Sequence, residues 1–204
     1  MKRDALAGCR AAPFRSHALQ IIRLLAVSGS LRAASINTAL LRAASMAAPQ
    51  GVSITTFARL GEFPLFNPDA ESPVPAPVQA FREQINVADG VLIASPEYAH
   101  GVTGVMKNAL DWVVGCEAFV DKPTAVLNAS PRATHADAAL KETLSVMSAD
   151  LVMSASIALP VLGAKLDAAG IAGHPELAGA LSGALDAMRQ HIVERRLQIS
   201  SMPE

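Results

Sequence analysis

Residues 21–57, IIRLLAVSGSLRAASINTALLRAASMAAPQGVSITTF, decide the fold. They open with a nearly continuous apolar run over residues 21–27, which is typical of a strand buried on both faces of a parallel sheet. From Ile36 the apolar positions recur at helical spacing, until Pro49-Gln50-Gly51 ends the pattern. Residues 52–57 then alternate as a β-branched strand does. The stretch therefore predicts a strand–helix–strand unit.

The rest of the chain continues this alternation. Further strands are predicted at residues 90–95, 123–129 and 151–159, and further helices at about 77–88, 104–115, 136–147 and from 175 onward. A proline-rich stretch over residues 63–77 predicts a long surface loop, because proline resists both helices and central strands. Five strands alternating with five helices predict an α/β fold, a doubly wound five-stranded parallel sheet in the order 2-1-3-4-5.

Composition excludes several classes of protein. Of 204 residues, 51% are hydrophobic and 17% charged, which is too apolar for an intrinsically disordered chain. Seventeen Lys and Arg against eighteen Asp and Glu leave no basic excess, so we expect no nucleic-acid partner. The two cysteines, Cys9 and Cys116, form no metal-binding or disulfide pattern, which favours a reduced cytoplasm. No apolar run of about eighteen residues occurs, so we expect no membrane span.

The first twenty residues differ from the remainder. Residues 1–20 contain four basic residues against Asp4 alone, a net charge of +3. Their apolar stretches are too short for a secretory signal. We therefore expect residues 1–20 to be a disordered N-terminal tail and residues 21–200 to form a single domain.

The segment after strand one predicts a phosphate site. In a doubly wound sheet, ligands bind beyond the carboxyl ends of the strands. Residues 28–37 place Ser30, Ser35, Arg32 and Asn37 just before or within the first turn of a predicted helix. Free backbone N–H groups and the helix dipole there favour a phosphate, which hydroxyls and a guanidinium group would help to hold. The alternative is that Ser35 only caps the helix and Arg32 is solvated.

The segments after strands three and four carry further candidate ligand groups. Residues 95–104 contain Pro96 and two glycines, whose backbone can approach a flat ligand closely. They also contain Tyr98, the chain's one tyrosine, which is either at the ligand or a lid over the sheet edge. After strand four, Ser130 and His135 could hydrogen-bond a ligand, and His135 could equally lie in water at the start of a helix.

Together these segments resemble the NAD(P)H-dependent FMN reductase family of flavodoxin-like proteins, which includes quinone, chromate and azo-dye reductases. The resemblance extends over about residues 21–200. Its most specific part is Ser-Pro-Glu-Tyr at 95–98, followed by GVMKNALDW at 104–112. Gly29-Ser30-Leu31-Arg32, with Ser35 and Asn37, is similar to the family's phosphate loop.

The resemblance implies a flavodoxin-like fold with FMN bound at the strand ends. The implied FMN contacts are Ser30, Arg32, Ser35 and Asn37 at the phosphate, Pro96, Glu97 and Tyr98 along the isoalloxazine, and Ser130 and Arg132 at the third loop. It also implies that hydride passes from NADPH or NADH to the flavin and then to a quinone, free flavin or similar small-molecule acceptor. No catalytic side chain is expected, because the cofactor carries the chemistry. A homodimer or homotetramer is expected.

The sequence departs from the family pattern in three places, and two other functions remain open. Ala99 stands where the family usually has Asn, Thr103-Gly104 where it has Pro-Gly, and residues 134–136 where it has paired glycines. One alternative is a flavodoxin-like electron carrier, although the chain has neither a TxTGxT loop nor a strongly acidic composition. The other is a binding module that has kept the fold and lost the cofactor.

Overall fold

The computed structural model describes residues 21–201. The expected tail, residues 1–20, lies outside the described residues. The strands are β1 Ile22–Ser28, β2 Val52–Phe57, β3 Gly90–Ala94, β4 Glu97–Tyr98, β5 Gly101–Val102, β6 Pro123–Asn128, β7 Asp150–Leu151 and β8 Ile157–Ala158. The helices are α1 Ile36–Met46, α2 Ala76–Val87, α3 Gly104–Val114, α4 Thr134–Val146, α5 Ala168–Gly173 and α6 Pro175–Ser201.

The main sheet is parallel and has the strand order β2-β1-β3-β6-β7. Ala26 of β1 pairs with Thr56 on one side and with Leu92 on the other, so β1 lies inside the sheet. Both β3 and β6 are buried along their whole length. This confirms the predicted order 2-1-3-4-5, with β6 as the fourth strand and β7 in the fifth position.

Helices cover both faces of the sheet, and each face has its own hydrophobic core. Leu24 and Ala26 pack with residues of α1, α5 and α6 on one side. Leu25 and Val27 pack with residues of α2, α3 and α4 on the other. Because alternate residues of β1 point to opposite faces and both faces are covered, the strand is apolar except at the exposed Arg23 and the terminal Ser28.

The predicted fifth strand at residues 151–159 was wrong as a continuous element. Two short strands replace it: β7 pairs with the start of β6, and β8 pairs with its end. Between them the Ser156 hydroxyl accepts a hydrogen bond from the Val126 backbone N–H (3.1 Å) and donates one to the Val152 carbonyl (3.1 Å). A side chain thus takes the place of the sheet bond that a continuous strand would make.

A short helix, α5, forms between β8 and α6, where the sequence pattern predicts no helix. The Asp167 carboxylate caps it by accepting a hydrogen bond from the Gly170 N–H at 2.8 Å. Ile171, a residue of this helix, is fully buried in the core that α5 shares with α1 and α6. The cap and the burial of Ile171 against α1 and α6 therefore both stabilise this six-residue helix.

Ion pairs fasten the long helix α6 to the end of the sheet opposite the strands' carboxyl termini. Asp150 accepts hydrogen bonds from His191 Nε2 and Arg195, both at 2.7 Å. Arg196 pairs with Asp89 at 2.6 Å.

Within residues 21–201, no helix has the length and apolar character needed to cross a membrane.

Candidate active site

Three loops at the carboxyl ends of β1, β3 and β6 line a cavity of about 270 Å³. This volume lies near the lower end of the range for small-molecule sites. The lining includes these residues implicated by the resemblance: Ser30, Arg32, Ser35, Asn37, Pro96, Glu97, Tyr98 and Ser130. Arg132 is not part of the lining, and its side chain is exposed. Eight of the nine residues that the resemblance implies as FMN contacts therefore line one cavity, and Arg132 does not.

The first loop opens the N-terminus of α1 to the cavity. Ser35 accepts a hydrogen bond from the Thr38 N–H at 3.2 Å, so it caps the helix, as the alternative interpretation proposed. It also lines the cavity. Ser30 Oγ lies 3.4 Å from the Arg32 N–H, which shapes the turn between them. An anion in the cavity would therefore face a helix N-terminus, a position that favours negative charge.

Asn37 is a buried polar residue in the lining of this cavity. Its side chain is 4% exposed, and its Oδ1 has no hydrogen-bond partner among the described residues. A buried amide oxygen without a donor costs about 1–3 kcal/mol, which a ligand hydroxyl would recover. FMN carries both a phosphate and a chain of hydroxyl groups, so the residues present fit this cofactor.

The second loop is packed tightly against the first at Gly29. A Cβ atom on Gly29 would lie 2.4 Å from Ser95 Oγ and 3.1 Å from Met106 Cβ. Thr103 caps α3 by accepting a hydrogen bond from the Met106 N–H, and its hydroxyl donates to the Gly29 carbonyl at 2.8 Å. The position of the first loop thus depends on a glycine and on the threonine that starts the next helix.

The α3 part of the family signature fixes the proline-rich loop. Asn108 accepts a hydrogen bond from the Phe66 N–H at 2.8 Å and donates to the Pro64 carbonyl at 2.9 Å. The Trp112 ring N–H donates to the same carbonyl at 2.8 Å. Lys107 pairs with Asp111 along the exposed face of the helix. These side chains hold neighbouring structure in place and do not line the cavity.

Glu97 lies between the second and third loops. Its Oε2 accepts a hydrogen bond from the Ala136 N–H at 2.8 Å, and its Oε1 lies 3.2 Å from His100 Nδ1. The Ala136 N–H chiefly, together with the nearby His100 and His135, holds the pKa of Glu97 below the usual carboxyl value. The carboxylate is therefore already bonded within the protein.

The third loop is shaped by Asn128, which the sequence analysis did not single out. Asn128 Oδ1 accepts a hydrogen bond from the Ser130 N–H at 3.0 Å, and Nδ2 donates to the Ala133 carbonyl at 2.9 Å. His135 lies in the first turn of α4, as the helix-start interpretation proposed, with its ring 4.4 Å from that of His100. An amide at the end of a buried strand is the signal that would have identified Asn128.

Ser95 and Leu162 also line the cavity without having been predicted. Ser95 is the last residue before the second loop's Pro96, so its position in the signature points to it. Leu162 follows β8 and reaches the cavity because its N–H donates to the Ala129 carbonyl at 2.9 Å. No local pattern indicates that contact.

Within residues 21–201, no group of three metal-ligating side chains is placed to hold an ion.

Comparisons with known proteins agree with this geometry. A family model described as NADPH-dependent FMN reductase matches residues 22–161. An NAD(P)H-dependent FMN reductase of Pseudomonas aeruginosa is 44% identical over 112 residues, covering 53% of this chain and 60% of that protein. A quinone reductase of Escherichia coli is 40% identical over 100 residues, covering 48% and 52%. These alignments thus span only part of each relative.

A solved structure shows a closely similar fold. The flavoenzyme NAD(P)H:(acceptor) oxidoreductase of Paracoccus denitrificans has a TM-score of 0.73 and 26% identity, covering 84% of this chain and 99% of that one. The family match includes all three loops that line the cavity. The chain therefore belongs to the NADPH-dependent FMN reductase family.

Proposed function

We propose that this protein is an FMN-dependent oxidoreductase that uses NADPH or NADH to reduce a quinone, free flavin or similar small acceptor. The observation that carries the proposal is the cavity at the ends of β1, β3 and β6. It combines an open helix N-terminus with the buried amide of Asn37, whose oxygen has no hydrogen-bond partner within residues 21–201. A phosphate and the adjacent hydroxyl groups of one ligand would satisfy both features.

The first loop would hold the phosphate of FMN. Ser30, Arg32, Ser35 and Asn37 all line that side of the cavity. The Arg32 side chain is exposed, and the described residues offer it no ion pair, so its guanidinium is available to a ligand anion. Charge-assisted hydrogen bonds of this kind are the stronger ones in proteins.

The second and third loops would hold the flavin ring. Pro96 and Tyr98 line the cavity from the second loop, and Ser130 lines it from the third. Glu97 would contribute through its backbone, because its carboxylate is bonded to the Ala136 N–H. Arg132, exposed beside Ser130, would reach the ligand only at its outer edge.

FMN bound here would supply the redox chemistry, taking a hydride from the reduced nicotinamide nucleotide and passing two electrons to the acceptor. The protein's part would be to orient the ring and leave one face open to both substrates. A quinone is the favoured acceptor, because relatives include a 2-hydroxy-1,4-benzoquinone reductase of Burkholderia, 39% identical over 112 residues.

Four broader features belong to the same proposal. Residues 21–200 would form a single FMN-binding domain, since helices cover both faces of one sheet there. The protein would act in the cytoplasm, which suits its sparse cysteines. It would work as a homodimer or homotetramer, as the family resemblance implies. Neither nucleic acid nor membrane would be a partner.

The test is an anaerobic titration of purified protein that has been loaded with FMN. NADPH or NADH should bleach the visible flavin bands, and 1,4-benzoquinone should restore them with release of hydroquinone. Bound flavin that neither nucleotide bleaches would favour an electron carrier. Protein that binds no FMN would favour a binding module that has lost the cofactor.

A further inference from the structure

Helix α4 begins without a cap of its own. Ala133 occupies the N-cap position and has no side chain able to accept a hydrogen bond from the first turn. Ala136, three residues on, is 4% exposed, so water has little access to its backbone N–H. Buried N–H groups at a helix start need a partner, and a missing partner is costly.

Glu97 provides that partner from a different part of the chain. Its Oε2 accepts a hydrogen bond from the Ala136 N–H at 2.8 Å, across 39 positions of sequence. Its side chain is 13% exposed, so the bond is largely shielded from water. A carboxylate at a helix N-terminus is also favoured by the helix dipole. The contact therefore works as a cap supplied by another loop.

The same carboxylate also contacts the turn of the β4–β5 hairpin. Its Oε1 lies 3.2 Å from His100 Nδ1. Ala99 and His100 form the two-residue turn of the hairpin, with φ of 49° and 60°, a conformation that glycine and asparagine adopt far more readily. The bond from Glu97 to His100 helps to hold a turn that the residues alone disfavour.

Both loops that Glu97 joins are walls of the cavity. Glu97 and Tyr98 line it from the hairpin, and Ala133 lines it from the residue just before α4. The spacing of these two walls limits what can fit between them. The Glu97 carboxylate joins the two walls by a hydrogen bond to the Ala136 N–H, beside the contact between the His100 and His135 rings.

We propose that Glu97 is a positioning residue, whose carboxylate ties the hairpin to the start of α4 and so holds the second and third loops at the separation that flavin binding requires. The inference rests on the proposed function, and it assigns Glu97 a role that contact with the flavin does not explain. Three groups face the carboxylate: the Ala136 N–H, His100 and His135.

The link should also depend on pH. These neighbours hold the pKa of Glu97 below its usual value. The stabilisation from the bond between the Glu97 carboxylate and the Ala136 N–H is therefore fully present above the ordinary carboxyl pKa. It is lost as the pH falls through the lowered pKa. The free energy of unfolding of the wild-type protein should therefore fall as the pH drops through this range. A Glu97→Gln variant, which has no carboxylate at this position, should not show this part of the fall.

The experiment compares FMN-free and FMN-loaded protein for Glu97→Ala, Glu97→Gln and the control Glu142→Ala, which changes an exposed carboxylate elsewhere on α4. Hydrogen exchange of the Ala136 amide should be about ten- to a hundredfold faster in Glu97→Ala, the scale of one lost charge-assisted hydrogen bond. The dissociation constant for FMN should rise at least about tenfold. Glu97→Gln, which keeps one acceptor oxygen, should fall between Glu97→Ala and wild type.

A second variant separates positioning from simple capping. Ala133→Ser introduces a hydroxyl at the N-cap position, so in the Glu97→Ala background it should slow Ala136 exchange and restore α4. FMN affinity should nevertheless stay low, because the hairpin still lacks its hydrogen bond to the start of α4. Ala133→Ser alone controls for the added hydroxyl at the cavity wall.

The outcomes distinguish the two proposals. Wild-type affinity for FMN in Glu97→Ala, or its full recovery in the double variant, would overturn the positioning role. Failure of wild-type protein to bind FMN would overturn the proposed function, and Ala136 exchange would still test whether Glu97 links the loops. If Glu97→Ala does not fold, the comparison is made with Glu97→Gln, whose unchanged FMN affinity and unchanged acid profile would contradict the inference.

Discussion

Replacing Gly29 with alanine tests how closely the first two loops must pack. The new Cβ would lie 2.4 Å from Ser95 Oγ, 2.8 Å from Ser95 Cβ and 3.1 Å from Met106 Cβ. Rotation of the Ser95 side chain can move its Oγ but not its Cβ, so the backbone of one loop must move. Overpacking of this kind costs about 1–3 kcal/mol. The shift would also strain the bond from the Thr103 hydroxyl to the Gly29 carbonyl.

Urea denaturation of FMN-free protein measures this cost, and an FMN titration measures its effect on the cavity. We expect Gly29→Ala to lower the free energy of unfolding by about 1–3 kcal/mol and to weaken FMN binding. Gly104→Ala is the matched control, because no atom lies within 4 Å of its added Cβ and alanine suits the start of α3. Equal stability of wild type and Gly29→Ala, with equal FMN affinity, would refute the packing argument.

Three further substitutions test separate parts of the structure. Arg32→Ala should weaken FMN binding by about 1.5–3 kcal/mol in a fluorescence titration, the scale of a charge-assisted hydrogen bond, and unchanged affinity would remove Arg32 from the phosphate site. Asp150→Asn should lower the unfolding free energy by about 1 kcal/mol, because its bonds to His191 and Arg195 are partly exposed, and the loss should shrink in high salt. A salt-independent loss would point to packing instead. Ala99→Asn should raise the unfolding free energy by about 1 kcal/mol, since asparagine tolerates the positive φ, and a lower thermal midpoint would contradict this.

The central part of the fold could be predicted because its strands are buried on both faces. Residues 21–27 and 90–95 are apolar runs bounded by serine, glycine or proline, and they correspond to β1 and β3. The edge of the sheet is less regular. The Val126 backbone N–H donates to the Ser156 hydroxyl and not to the backbone carbonyl of a neighbouring strand. The apolar pattern over residues 151–159 does not predict this side-chain hydrogen bond.

The candidate site could be predicted where its determinants are local. Ser35 and Thr103 cap helices through bonds to residues three positions ahead, and such spacing can be recognised in a sequence. The bond from Glu97 to Ala136 and the approach of Leu162 to Ala129 join distant segments. These contacts depend on the tertiary fold, so no local pattern predicts them.

The central claim is that the loops after β1, β3 and β6 together form the flavin site, and mapping amide chemical shifts during an FMN titration tests it most directly. We expect the largest changes at residues 29–37, 95–98 and 128–133, with residues at the opposite end of the sheet, such as Asp150, unaffected. Saturable binding with shifts confined to the three loops is the predicted result. Absence of saturable shifts, or shifts centred elsewhere on the protein, would contradict the account.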